Sequence, residues 1–166
     1  EAAQEVKMVL SGDGADEILA GYETYPATYA AQFFRKLPSL IKESLGSFIN
    51  RLPVSNKKVP IENKLKRFIY GSNLPERECH ALWRYIFTPE KARITLAPKI
   101  QNQLIGYDPT HIYKQCIKDG ENFPFLSNLL YADLSYYLTN DAILKMDRMG
   151  MANGLEIRTP FLDYEL

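Results

Sequence analysis

The hydrophobic pattern opens on one short apolar run. Val6-Lys7-Met8-Val9-Leu10 carries two β-branched residues and leads straight into Ser11-Gly12-Asp13-Gly14, a dense turn signal, which predicts one buried strand ending in a tight loop. From Ala15 to about Lys36 only Gly21 interrupts the chain as a glycine. Tyr22, Tyr25 and Tyr29 fall on a helical stripe there, so a helix is expected, kinked or split at Pro26. Pro38 opens a second helix to about Arg51, and the polar connector from Pro53 to Pro60 reads as a surface loop. Further helices are expected over about 61–72, 76–87, 89–94 and 125–137, with a last one starting near Asp141. In the fourth of these, Leu126, Leu129, Leu130, Leu134 and Tyr137 build an apolar face that Asp133 interrupts. Strand patterns are otherwise scarce, and the chain carries no internal repeat and no low-complexity segment.

Composition narrows the function classes. The 166 residues are 46% hydrophobic and 24% charged, an ordinary globular balance in which a chain of this size buries roughly 70% of its unfolded surface. Twenty Lys plus Arg offset 20 Asp plus Glu, so no field of one sign favours nucleic acid or an anionic membrane. No apolar run approaches the about 20 residues that cross a bilayer, and the start Glu1-Ala2-Ala3-Gln4-Glu5 lacks a secretory layout. Cys79 and Cys116 match no metal-ligand or redox spacing, which fits a reducing, cytoplasmic location. The missing initiator Met marks the chain as an expected fragment.

The loop after the strand admits two readings. A strand, a glycine-rich turn and a helix start together expose backbone N–H groups at one point, where an anion is attracted. Gly12 and Gly14 let the backbone approach a ligand, and Ser11 can donate a hydroxyl hydrogen bond. Asp13, Asp16 and Glu17 would repel a bare phosphate, a conflict that Mg²⁺ resolves, because carboxylate and phosphate oxygens are its preferred ligands. The plainer reading makes Asp13 the N-cap of a helix with Asp16 at its third position, close to a capping box.

The terminal helix is equally two-sided. Asp141 precedes Lys145 by four residues, the favourable order for a solvated ion pair. The sharper reading has Lys145 and Arg148 present charge to a nucleotide phosphate or an acidic substrate, with Asp147 orienting a neighbour. Met146, Met149 and Met151 read as adaptable core filler, and the tyrosine stripe as core. Beyond them Glu156 and Arg158 project to one side if extended, and a buried structural ion pair fixing the corner before Pro160 is the expectation.

Taken together, Val9-Leu10-Ser11-Gly12-Asp13-Gly14-Ala15-Asp16-Glu17 with Gly21-Tyr22, then Lys145 to Met149, Met151 to Asn153, Leu155-Glu156, Arg158 and Pro160 to Asp163, resemble the glutamine-hydrolysing asparagine synthetase family. The resemblance implies a fragment that is itself mostly α, cut from an α/β domain of the ATP-pyrophosphatase (adenine nucleotide alpha hydrolase-like) type. In such a domain ATP adenylates the aspartate side-chain carboxylate, and glutamine-derived ammonia then displaces AMP to give asparagine. By that likeness Ser11 and Gly12 contact ATP beside Gly14, Asp13 supports formation of the adenylate, and Asp16 with Glu17 holds Mg²⁺. Metal and cations do the work in such chemistry, which agrees with His80 and His111 lying in no convincing constellation.

Departures from the family pattern matter too. The family's N-terminal glutaminase domain and its earlier Ser-Gly-Gly-x-Asp-Ser pyrophosphate loop are absent, and a lysine-bearing loop is expected beyond Leu166. Ala20 replaces a common glycine and Gly150 a common serine, both read as minor. A homodimer is a further expectation for the full chain. Sister enzymes on the same scaffold, a β-lactam synthetase or a cell-envelope amidotransferase, remain alternatives, as does a helical interaction module without catalysis. Asp13 leans toward asparagine synthesis, since lactam-forming relatives tend to lack an acid there. Residues 1–166 alone are expected to be inert, so calorimetric titration with ATP and Mg²⁺ should give neither tight binding nor pyrophosphate release.

Overall fold

The protein is described by a computed structural model covering residues 1–53, 60–75, 78–85, 87 and 89–165. Most of the expected connector, residues 54–59, lies outside the described residues, as do 76, 77 and 86 of the expected 76–87 helix. The chain is mostly helical and divides into two compact units, one formed by Glu1–Tyr22 with His111–Leu166 and the other by Glu23–Thr110. No described helix is long and apolar enough to cross a membrane.

In the first unit, α1 (Ala2–Glu5) leads into β1 (Met8–Leu10) and α2 (Ala15–Leu19). After the second unit come α9 (His111–Asp119), α10 (Phe125–Ala132), a π-helix (Asp133–Ala142), α11 (Ile143–Ala152), β2 (Glu156–Arg158) and a 3₁₀ turn (Pro160–Leu162). β1 and β2 pair in parallel, Met8 with Glu156, Val9 with Ile157 and Leu10 with Arg158. One strand was expected, and the second, β2, comes from far downstream. Its three residues show the alternation of Glu156 and Arg158 about Ile157 but are too few to mark a strand on their own. β1 is also not buried as expected. Met8 and Leu10 are exposed while Val9 is half-covered, because alternate side chains leave opposite faces of a strand and no described element covers the first face.

The core of this unit is built by Tyr113, Ile117, Leu129, Ala132 and Leu138. Asp133, which breaks the apolar face of the expected 125–137 helix, is fully buried and accepts a 2.6 Å hydrogen bond from the Tyr113 hydroxyl. At that residue the winding changes from α to π, so the helix expected to close at Tyr137 continues without a gap into α11. A π stretch this long is uncommon, since most are single-turn bulges. Its neighbouring Tyr136 and Tyr137 find different ring partners, Tyr113 at 5.7 Å and Tyr22 at 6.2 Å between centroids, both edge-on.

The second unit holds α3 (Thr24–Arg35), α4 (Ser39–Arg51), α5 (Ile61–Ser72), α6 (Glu78–Arg84), α7 (Pro89–Thr95) and α8 (Pro98–Gln103). The expected 15–36 helix is split, but at Ala20–Glu23 and not at Pro26. Pro26 is the third residue of α3, where a missing N–H costs nothing because first-turn N–H groups have no intrahelical acceptor. The tyrosine stripe divides accordingly: Tyr25 is buried and Tyr29 exposed. Thr28 ties the core together. It donates to the Thr24 carbonyl at 2.8 Å, accepts from the Trp83 indole at 3.0 Å, and lies 2.9 Å from Nδ1 of His80. With its hydroxyl proton committed, its remaining lone pair receives an Nδ1–H, which gives the fully buried His80 a structural role.

Ala20 closes α2 in the left-handed region, φ 56° and ψ 39°, the position for which glycine is favoured. The alanine in place of the family's common glycine is therefore not minor, since left-handed backbone costs an L-residue about 1–2 kcal/mol. Ala20→Gly in the full-length protein should raise stability by about 1 kcal/mol, read as an increase in the chemical denaturation midpoint at unchanged slope.

Candidate functional site

Two parallel strands that end at the same edge place the loops after them side by side. The backbone N–H of Ser11 continues the ladder by bonding the Arg158 carbonyl at 2.8 Å, so Ser11–Gly14 starts where β2 ends. Gly14 is buried at φ 91°, and a Cβ there would come within 2.5 Å of Leu162 from the 3₁₀ turn. Conformation and clearance both require glycine at that point. Gly12 differs, with nothing within 4 Å of where its Cβ would be, which leaves that stretch of backbone open to a ligand.

Within the loop the Ser11 hydroxyl donates to the Asp13 carboxylate, and the Asp13 N–H approaches the Ser11 oxygen at 3.4 Å. Asp13 does not cap α2. Gly14 occupies the N-cap position and no side-chain capping bond forms there, so the capping-box reading is not what the chain builds. With only five residues, α2 also offers little dipole.

The three acids go separate ways. Asp13 is half-buried, Asp16 exposed and Glu17 only 1% exposed. The Glu17 carboxylate accepts a 2.8 Å hydrogen bond from the Tyr22 hydroxyl, a partner that its spacing along the chain does not announce. Asp16 sits against Gly21, whose added Cβ would lie 2.0 Å from the Asp16 Oδ1. Among the described residues no group of three or more His, Cys, Asp or Glu is arranged to hold a metal.

Lys145 on α11 bonds Asp141 at 2.9 and 3.0 Å to its two oxygens, so the simple ion pair is formed. The Lys145 ammonium is exposed, and its pKa is raised first by the hydrogen bond to Asp141, then by the fields of Asp141, Tyr137 and Asp13. Desolvation opposes the shift. Arg148 is exposed three residues further along α11, and Asp147 is exposed beside it.

Several expectations for the end of the chain need correction. Met149 and Met151 are each 63% exposed and are not core filler, while Met146 is half-buried. Glu156 and Arg158 do pair, at 2.8 Å, but on the surface, since alternation puts the intervening Ile157 inward. Gly150 is no minor variant. Its Cβ would lie 2.7 Å from the Leu155 carbonyl and 3.0 Å from Ile157, so a serine cannot enter without moving backbone.

The loops after β1 and β2 thus lie side by side at the carboxyl ends of two paired parallel strands, the edge at which open α/β sheets bind their ligands. A family model described as asparagine synthase matches residues 1–166, and the chain belongs to that family. It is 31% identical to asparagine synthetase (glutamine-hydrolyzing) 1 of Bacillus subtilis, over 98% of this chain and 24% of that protein. It is 29% identical to a putative asparagine synthetase (glutamine-hydrolyzing) of Mycobacterium tuberculosis, over 100% and 24%. A putative asparagine synthetase (glutamine-hydrolyzing) 2 of Methanocaldococcus jannaschii is 42% identical over 94% of this chain and 28% of its own length. The chain therefore spans about a quarter of the length of these curated relatives. No solved structure matches it significantly.

A raised lysine pKa adds stability that is complete below the unfolded-state pKa and disappears as pH rises through the folded value. The small advantage of the wild type over Asp141→Asn should accordingly exist at neutral pH and vanish in the alkaline lysine range. NMR titration of the Lys145 side chain should show its pKa lower in the variant.

Proposed function

We propose that this chain forms the acid-bearing edge of an ATP-pyrophosphatase-type synthetase domain that makes asparagine from aspartate, ATP and glutamine-derived ammonia. The observation that carries the reading is the parallel pairing of β1 with β2, which sets the open backbone at Gly12 and the Ser11-held Asp13 at the edge where β2 ends. The names of the similar proteins agree with this activity. In the proposed sequence of events the aspartate side-chain carboxylate attacks the α-phosphorus of ATP and pyrophosphate leaves. Ammonia then adds at the activated carbonyl carbon and AMP departs.

The chain's own groups have distinct tasks in this reading. Ser11, Gly12 and Gly14 shape the contact with ATP, and Asp13 attends the acyl group being activated. Lys145 and Arg148 supply cationic charge toward phosphate or the acidic substrate, where fixed charges count most. Of the two acids expected to hold Mg²⁺, Asp16 is exposed and Glu17 is buried on Tyr22, so we place the cation at Asp16, Mg²⁺ commonly taking one or two carboxylates plus phosphate oxygens. Bound there, it supplies neutralisation of phosphate charge. We place a pyrophosphate loop and a glutaminase domain upstream of this chain, and a lysine-bearing loop downstream.

Asp13→Ala in the full-length enzyme should lower kcat for aspartate-dependent pyrophosphate release by ~10² or more, with native circular dichroism. Adenylation at the wild-type rate in that variant would remove Asp13 from the reaction. Failure of the full-length enzyme to form asparagine would remove the substrate assignment.

A further inference from the structure

We propose that Glu17 and Tyr22 are positioning residues that fix the Asp16 carboxylate for a divalent cation; the inference rests on reading the loop after β1 as an ATP and Mg²⁺ site. The two acids are adjacent in sequence but differ in surroundings. Asp16 is exposed, whereas Glu17 is 1% exposed and could ligate a cation only by leaving the protein interior. A buried carboxylate is stable only when hydrogen-bonded, and the Tyr22 hydroxyl supplies such a bond at 2.8 Å.

That bond clasps a sharp reversal. Ala20 turns the chain in the left-handed region, the Gly21 N–H bonds the Asp16 carbonyl at 3.0 Å, and Tyr22 returns to reach Glu17 five residues back. The clasp holds the Gly21 backbone against the Asp16 side chain, so closely that a Cβ would fall 2.0 Å from Oδ1. One oxygen, Oδ1, is thereby held against Gly21, while the residue as a whole stays exposed. Tyr22 is fixed in turn by its edge-on contact with Tyr137 of the π-helix. Ligand orientation by hydrogen-bonded groups behind the ligands is a general feature of metal sites, and losing such a group typically costs about 10–100-fold in affinity.

The test uses the full-length enzyme and Mn²⁺ as the probe, with cation binding in the presence of ATP followed by electron paramagnetic resonance. Tyr22→Phe keeps the ring contact and removes only the hydroxyl, and Glu17→Gln removes the charge. Each should weaken Mn²⁺ binding by about tenfold and speed hydrogen exchange at the Gly21 amide, with the double variant no worse than either single one. Asp16→Asn should abolish the binding. Wild-type Mn²⁺ affinity in Tyr22→Phe would overturn the positioning role, even with a lowered melting temperature. So would loss of binding in Glu17→Gln alone, which would make Glu17 a direct ligand. If Glu17→Gln does not fold, Tyr22→Phe decides. Unchanged binding in Asp16→Asn is a separate result, which would overturn the reading of the loop itself together with this one.

Discussion

Three residue pairs in a parallel ladder hold together parts of the chain about 150 positions apart. The pairing of Met8–Leu10 with Glu156–Arg158 is extended by Ser11 bonding to Arg158, and both strands then run out at one edge. Everything assigned to the site follows from that edge. The glycine loop leaves from one strand and the 3₁₀ turn from the other, and Leu162 fills the space that Gly14 leaves for it. Short parallel ladders are weak on their own, so the geometry also leans on α11, which packs against β2, and on the π-helix, which packs against α2.

The π-helix links the buried interior to this edge. Its first residue, Asp133, is held in the core by Tyr113, while Tyr137 and Asp141 further along meet Tyr22 and Lys145. The two interior acids of this unit, Asp133 and Glu17, each accept a hydrogen bond from a phenol, and Asp13, Asp16 and Asp141 nearer the edge keep some exposure. The same division runs through the loop and α2, where Glu17 is interior, Asp13 intermediate and Asp16 outside.

Much of this was legible from residues alone. Local signals suffice where the chain punctuates itself, as with the glycine turn at 11–14, the proline-led helix Ser39–Arg51, and Ile61–Ser72. The family resemblance rested on the loop and on the 145–163 segment, which the fold brings together in one unit. What escaped prediction depended on non-local partners. The alternation at 156–158 names no partner strand, the π winding has a period that a helical template does not test, and the burial of Glu17 shows only once Tyr22 is folded back on it. Pro26 misled because its effect depends on its place within the helix and not on its presence.

Gly150 carries one more implication. The gap between α11 and β2 is a clearance set by the absence of a single carbon, with a carbonyl oxygen on the far side that cannot step aside. A methyl group there would act as a wedge, and Lys145 rides on the helix that the wedge would lift. The seat of that ammonium and of its ion pair with Asp141 is thereby gauged from elsewhere on its own helix, by a residue that carries no side chain.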